Sequence, residues 1–314
     1  MVERVRYAAV FVLLCVCCRV VHAAPPHATP FEAALTALVA DNTALAAELF
    51  KESYLAGEHQ FKSLLFLSHI SYRRGDFHQA RQGYRDIMVR YGLAADEETV
   101  VVARFMFAES SVRCGEFADA EEAYAWISSR AADSAVYLPS LYGGAYCLYR
   151  RKQYGRFLTA VSFLRQQWKE RGVHPPAEVD EQLTFLVGDA WYRQGYYRNA
   201  ERELRGFLQK FPQSRYAVHA RVCLASLLSD QKKYPAAEQV LRAIPATSGT
   251  AVQAVVQYHL ATGLLKQRRY EDAVPVLERI LKHPSTDPVF ALSLIHISEP
   301  TRLLSISYAV FCLK

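Results

Sequence analysis

The chain has 314 residues, 51% of them hydrophobic, with 37 basic against 31 acidic side chains. An N-terminal leader takes three basic residues and one acidic, and the last 22 residues take two and one; the remaining 32 against 29, or +3, exclude an electrostatic grip on nucleic acid. Of seven cysteines only Cys114, Cys147 and Cys223 lie between leader and tail, and an odd number argues against a disulfide framework.

Arg4 and Arg6 precede an apolar run from Tyr7 to Cys18, and Val21-His22-Ala23 supplies the small residue that a signal peptidase requires. Residues 1–23 therefore read as a secretory signal, and its twelve apolar residues are too few to span a bilayer. A lipid anchor at Leu14-Cys15-Val16-Cys17 is the alternative, although the small residue expected ahead of the cysteine is missing. Residues 24–60 form an N-terminal helical or capping segment, in which Ala34, Thr43, Ala46 and Phe50 outline a degenerate repeat.

From there the chain is periodic. Phe77, Phe117, Tyr154, Tyr197, Tyr234 and Tyr270 recur at intervals of 40, 37, 43, 37 and 36 residues. All but Tyr154 are followed three positions later by alanine: Ala80, Ala120, Ala200, Ala237 and Ala273. A small residue lies nine positions before each aromatic: Ser68, Ala108, Ala145, Gly188, Ala225 and Ala261. This beat predicts about six repeats over residues 61–292, each a pair of amphipathic helices joined by a short turn. Gly75, Gly115 and Gly195 suit the turn because glycine tolerates positive φ, while Lys152, Lys232 and Arg268 replace it in the other units. The small residues would let the two backbones approach, and the aromatic would fill the wedge between them.

These residues resemble the tetratricopeptide repeat family, whose unit has small residues at its eighth and twentieth positions, glycine at the fifteenth and an aromatic at the seventeenth. Gly188, Trp191, Gly195, Tyr197, Ala200, Phe207 and Pro212 match almost throughout, whereas Phe157 stands where the third unit should have alanine. The resemblance implies an all-α, right-handed superhelical solenoid whose first helices line a concave surface. It also implies a protein that binds partners rather than a catalyst. Phe211-Pro212-Gln213-Ser214, followed by a helix rich in alanine and leucine, is similar to the linkers of bacterial envelope members of the family.

In the solenoid register, the last turns of the first helices present Arg73, Arg113, Arg150, Arg193 and Lys266, with Asp230 as the exception. Beside them stand Tyr72, Tyr149 and Tyr192, and a turn or more earlier Leu65, Phe105, Tyr142, Phe185 and Tyr258. One reading is a basic, tyrosine-rich groove for an acidic or C-terminal peptide, with guanidinium forks on carboxylates. The other is that the cations offset the negative ends of the helix dipoles. The family members that bind chaperone tails use an asparagine where this chain has His69, Glu109, Tyr146, Asp189, Ser226 and Thr262, so that mode of binding is not expected.

The sequence has no HExxH, paired CxxC, phosphate-binding glycine loop or GxSxG elbow, and its histidines are scattered. No metal, cofactor or catalytic residue is therefore expected; the histidines read as solvated or hydrogen-bonded, and the three cysteines as buried free thiols. After Pro288 the register fails, and residues 293–314, including Leu294-Ile295-His296-Ile297-Ser298-Glu299-Pro300, resemble a translated adapter sequence rather than native chain. A genuine capping segment is the alternative. The expectation is an exported, non-enzymatic scaffold in the periplasm or envelope. Its rival is the helical superstructure of a truncated cell-wall-remodelling enzyme, similar to the lytic transglycosylases, with a catalytic domain beyond about residue 292.

Overall fold

A computed structural model describes residues 29–57, 59–91, 97–245 and 250–282. The signal and adapter-like segments lie outside the described residues, as does His283.

Fourteen helices and no strand occur among the described residues: α1 (Pro30–Val39), α2 (Thr43–Leu55), α3 (Gln60–Arg74), α4 (Phe77–Tyr91), α5 (Glu97–Cys114), α6 (Phe117–Arg130), α7 (Tyr137–Arg150), α8 (Tyr154–Glu170), α9 (Ala177–Arg193), α10 (Tyr197–Lys210), α11 (Ala217–Asp230), α12 (Tyr234–Arg242), α13 (Thr250–Lys266) and α14 (Tyr270–Lys282). Each of the six recurring aromatics is the first residue of a second helix. The backbone two positions earlier is left-handed every time, with φ of 87° at Gly75, 83° at Gly115, 60° at Lys152, 79° at Gly195, 61° at Lys232 and 61° at Arg268. In each turn the next amide reaches back to the first helix, as Asp76 N–H does to Ser71 and Lys233 N–H to Leu228. That reversal satisfies carbonyls that a helix end would otherwise leave bare. It therefore survives the loss of glycine in half the repeats.

The chain divides into two compact units at Leu183/Thr184, within α9. Unit 1 opens with the hairpin α1–α2. Thr29 and Glu32 form a reciprocal capping box at its start, Pro30 sits at the first helical position, and Asn42 caps α2. Its core joins Ala34, Ala46 and Phe50 to Phe66 and Ile70 of α3, and Phe50 stacks on Phe66 at 4.8 Å. Further along, Ala80, Tyr84, Ala108, Ala120, Tyr124 and Ile127 form the main core. Here an added Cβ on Gly143 would come within 2.4 Å of the Tyr124 ring, so α7 needs glycine at that crossing. Phe157, in the place of alanine, is fully buried.

Unit 2 repeats the plan. Ala200, Leu204, Phe207, Ala220, Ala225, Ala237 and Leu241 pack α10, α11 and α12 into one core. Gly188 admits Leu204, whose Cδ2 lies 2.8 Å from where its Cβ would be. All six small residues ahead of the aromatics, and all five alanines behind them, are buried in their respective units.

Glutamates directly after the small residue of the second helix link neighbouring repeats on the outer side. Glu121 pairs with Arg151 and Arg156 in unit 1; in unit 2 Glu201 pairs with Lys233 at 3.6 Å and Glu238 with Arg269 at 3.2 Å. Within a helix, Arg205–Glu201 and Arg242–Glu238 add the expected i,i+4 pairs.

Candidate binding surfaces on the first helices

All five cations of the sequence stripe are exposed in the last turns of first helices. Their surroundings differ from an open groove. In unit 1 the Arg113 guanidinium lies 5.5 Å from the centroid of Phe77, and that of Arg150 lies 4.4 Å from Phe117, the recurring aromatic of the preceding repeat in each case. Arg150 also donates to the Tyr146 hydroxyl at 2.7 Å, and Arg73 approaches Asp41 at 3.8 Å. The tyrosines turn the same way. Tyr72 packs edge-on against Phe77 at 5.3 Å and Tyr149 against Tyr154 at 5.6 Å; in unit 2 Tyr192 lies 6.2 Å from Tyr197.

Two expectations are corrected by this geometry. The recurring aromatic does not fill the wedge between its helices; it sits at the turn end of the hairpin, half-exposed, and Tyr270 is 59% exposed. In unit 1 Phe77 is a platform that takes Tyr72 from its own repeat and Arg113 from the next, and Phe117 takes Arg150. Phe105 is likewise no part of a surface: it is 4% exposed and packs edge-on against Tyr124. Tyr142 is half-buried and donates to Gln182 at 2.8 Å.

Unit 2 fills the same positions with polar groups, several of them buried. Asp189 of α9, only 6% exposed, accepts from Arg193 Nε at 2.6 Å and from the Cys223 thiol of α11 at 3.6 Å. Tyr192 donates to Asp230 at 2.8 Å, and Ser226 faces the His259 Nδ1 of α13 at 3.4 Å. Three successive first helices are thereby joined by a polar band. Phe185 stacks on Tyr216 at 5.3 Å, Tyr258 adjoins His259, and Lys266 stands exposed at the end of α13.

Burial sets the protonation of this band. Desolvation, and then the Asp189 carboxylate, raises the Cys223 thiol well above its ordinary value, so it keeps its proton. Desolvation, with Lys266 adding to it, lowers His259 to about 4, and the imidazole is neutral near pH 7. Tyr192 is raised by burial and by Asp230. A protonated thiol beside a paired carboxylate, with a neutral imidazole, offers donors and acceptors but no thiolate–imidazolium nucleophile.

The other titratable expectations divide similarly. His69 in unit 1 is lowered to about 4 by burial and then by Arg73, so it is desolvated rather than solvated, whereas His259 is desolvated and hydrogen-bonded to Ser226. Cys147 is buried and pushed up to about 12, while Cys114 is only half-buried. Among the described residues no three His, Cys, Asp or Glu side chains form a metal set, and no helix is long and apolar enough to cross a membrane. Sequence reasoning missed the Asp189–Cys223, Tyr192–Asp230 and Ser226–His259 pairs. Their separations of 34, 38 and 33 residues, each about one repeat, were the signal that could have found them.

Residues 179–286 match the model of a tetratricopeptide repeat-like domain. No curated protein is similar to the chain. Among solved structures, a tetratricopeptide repeat protein from Parabacteroides merdae aligns with a TM-score of 0.52 at 14% identity, over 84% of this chain and 96% of its own. The C-terminal part of a TPR repeat-containing protein from Cytophaga hutchinsonii aligns with a TM-score of 0.58 at 12% identity, over 83% and 98%. The apo form of RapI aligns with a TM-score of 0.52 at 14% identity, over 70% and 84%.

Proposed function

We propose that this chain, a protein of tetratricopeptide-repeat fold, is an exported, non-enzymatic scaffold that binds protein or peptide partners in the bacterial cell envelope. Folds of this kind typically mediate protein–protein interaction, because stacked hairpins present a row of equivalent positions to an extended partner. The observation that carries the reading is the polar band of unit 2, where Asp189, Tyr192, Cys223, Ser226, Asp230 and His259 tie α9, α11 and α13 together one repeat at a time. Arg193 and Lys266 flank it as exposed cations, and Phe185 and Tyr258 add half-buried aromatic area. The exposed Arg193 and Lys266, held beside these aromatics by the band, suit an extended segment with carboxylates. The envelope location rests on the leader at residues 1–23 and the Phe211–Ser214 linker.

A photo-crosslinking amino acid at position 193 or 266, in cells, should give discrete adducts in the envelope fraction. The same group at Arg202, whose side chain is 72% exposed on α10, should give none. Equal adducts at all three positions, or none at 193 and 266, would overturn the assignment of the surface. Export is tested separately, by fusing residues 1–30 to a reporter that is active only outside the cytoplasm; a silent reporter removes the envelope from the reading.

A further inference from the structure

Unit 1 contains two places where a pair of arginines shares one aromatic ring. At the first, the guanidiniums of Arg81 and Arg85 on α4 each lie 5.5 Å from the Phe107 centroid, and both pair with the Asp119 carboxylate of α6. At the second, Arg104 of α5 lies 4.2 Å from the centroid of Trp126 and Arg130, the last residue of α6, lies 5.2 Å from it. Here the carboxylate is missing. Arg104 Nε is buried with no hydrogen-bond partner, and Arg130 is exposed and makes no ion pair with any described residue. Glu122, two positions after Ala120, is the acidic group within electrostatic reach of Arg104, yet it forms no ion pair with it.

We propose that Arg104, Arg130 and Trp126 form a receptor for a carboxylate of a protein partner, an acidic side chain on an extended segment, which takes the place that Asp119 fills between Arg81 and Arg85. The chemistry is that of the completed site. Two cations held on one indole repel each other, and part of their surroundings is already dry, so an incoming carboxylate gains charge-assisted bonds without having to order the forks first. The mutual cost is visible in Arg104, whose hold on its proton is lowered by desolvation and then by Arg130, with Glu122 opposing. This receptor is separate from the polar band of unit 2 and does not depend on it.

The test is a titration of the full chain with hexaglutamate, followed by the indole N–H resonances of Trp126, Trp168 and Trp191, with the first assigned by its disappearance in Trp126→Phe. Hexaglutamate should move the Trp126 signal saturably. Arg130→Gln should weaken that binding about tenfold or more, the loss of one charge-assisted contact, while Lys210→Gln, the same charge change at a cation over Phe211, should leave it unaltered. Arg130 is exposed, so its replacement keeps the fold; were the thermal midpoint to fall, Arg130→Lys must bind with intermediate strength. Absence of a saturable shift, equal binding by R130Q, or a response to inorganic phosphate with none to hexaglutamate would each overturn the proposal.

Discussion

Units 1 and 2 present the same register positions with opposite chemistry. In unit 1 two of the three stripe cations lie on an aromatic ring of the preceding repeat, Arg113 on Phe77 and Arg150 on Phe117. In unit 2 the neighbouring first helices meet through carboxylate, phenol, thiol and imidazole. Cation–π packing joins repeats through groups that are already matched. A hydrogen-bonded band joins them through buried and half-buried polar groups. A repeated spacing therefore does not imply a repeated role, since equivalent positions meet aromatic rings in one unit and polar groups in the other.

Overfilling a helix crossing should separate the units most clearly. Ala200→Trp in unit 2 inserts an indole where nothing is exposed and should cost on the order of 3 kcal/mol or more. Gly143→Ala in unit 1 meets a Tyr124 ring that is pinned by its 2.6 Å bond to Glu109, and should lose about 2 kcal/mol despite the better helix propensity of alanine. Gly188→Ala meets Leu204 Cδ2 and Cγ at 2.8 and 2.9 Å, but that side chain is not pinned by a hydrogen bond, and the change should cost less. Chemical denaturation of the three variants orders them; equal losses would mean that the tyrosine yields as readily as the leucine.

Acid should act on both units. His69 and His259 are each lowered from 6.5 to about 4, so the unfolded chain binds their protons first. The stability they allow is whole above pH 6.5 and declines as the pH falls from 6.5 towards 4, by up to about 3 kcal/mol for each group. Asp230 partly offsets the effect at His259. Thermal melts across that window should fall less steeply in His259→Gln than in the parent, and an unchanged slope would contradict the burial of the imidazole.

Removing the Tyr124 hydroxyl leaves the buried Glu109 short of a donor, so Tyr124→Phe should destabilise unit 1 by about 1 to 3 kcal/mol. Its counterpart in unit 2 is smaller, since Tyr192→Phe strips a partner from the half-exposed Asp230. Arg193→Gln takes from the buried Asp189 carboxylate its 2.6 Å donor and should cost about 1 to 3 kcal/mol. The least effect is expected of Arg150→Gln, which should cost about 0.5 to 1 kcal/mol through the lost contact with Phe117. A larger stability loss for Arg150→Gln than for Arg193→Gln would contradict this difference between the units.

Helical pairs, their turn positions and the buried small residues were all legible from spacing alone, because a hairpin of helices tolerates few residues at its crossing. Ala120 and Ala200 had to be small whatever lay around them. Even the turns without glycine at Lys152 and Lys232 could be located by their distance from the next aromatic. The destination of the stripe was not legible. Position in the last turn says that an arginine lies near the helix end; it does not say whether the nearest group across the gap is Phe77, Phe117 or Asp189. Those partners come from a neighbouring repeat or from the previous turn, and only packing decides which rotamer meets which ring or carboxylate. Local periodicity is a property of the chain, whereas the pairing of side chains across repeats is a property of the fold.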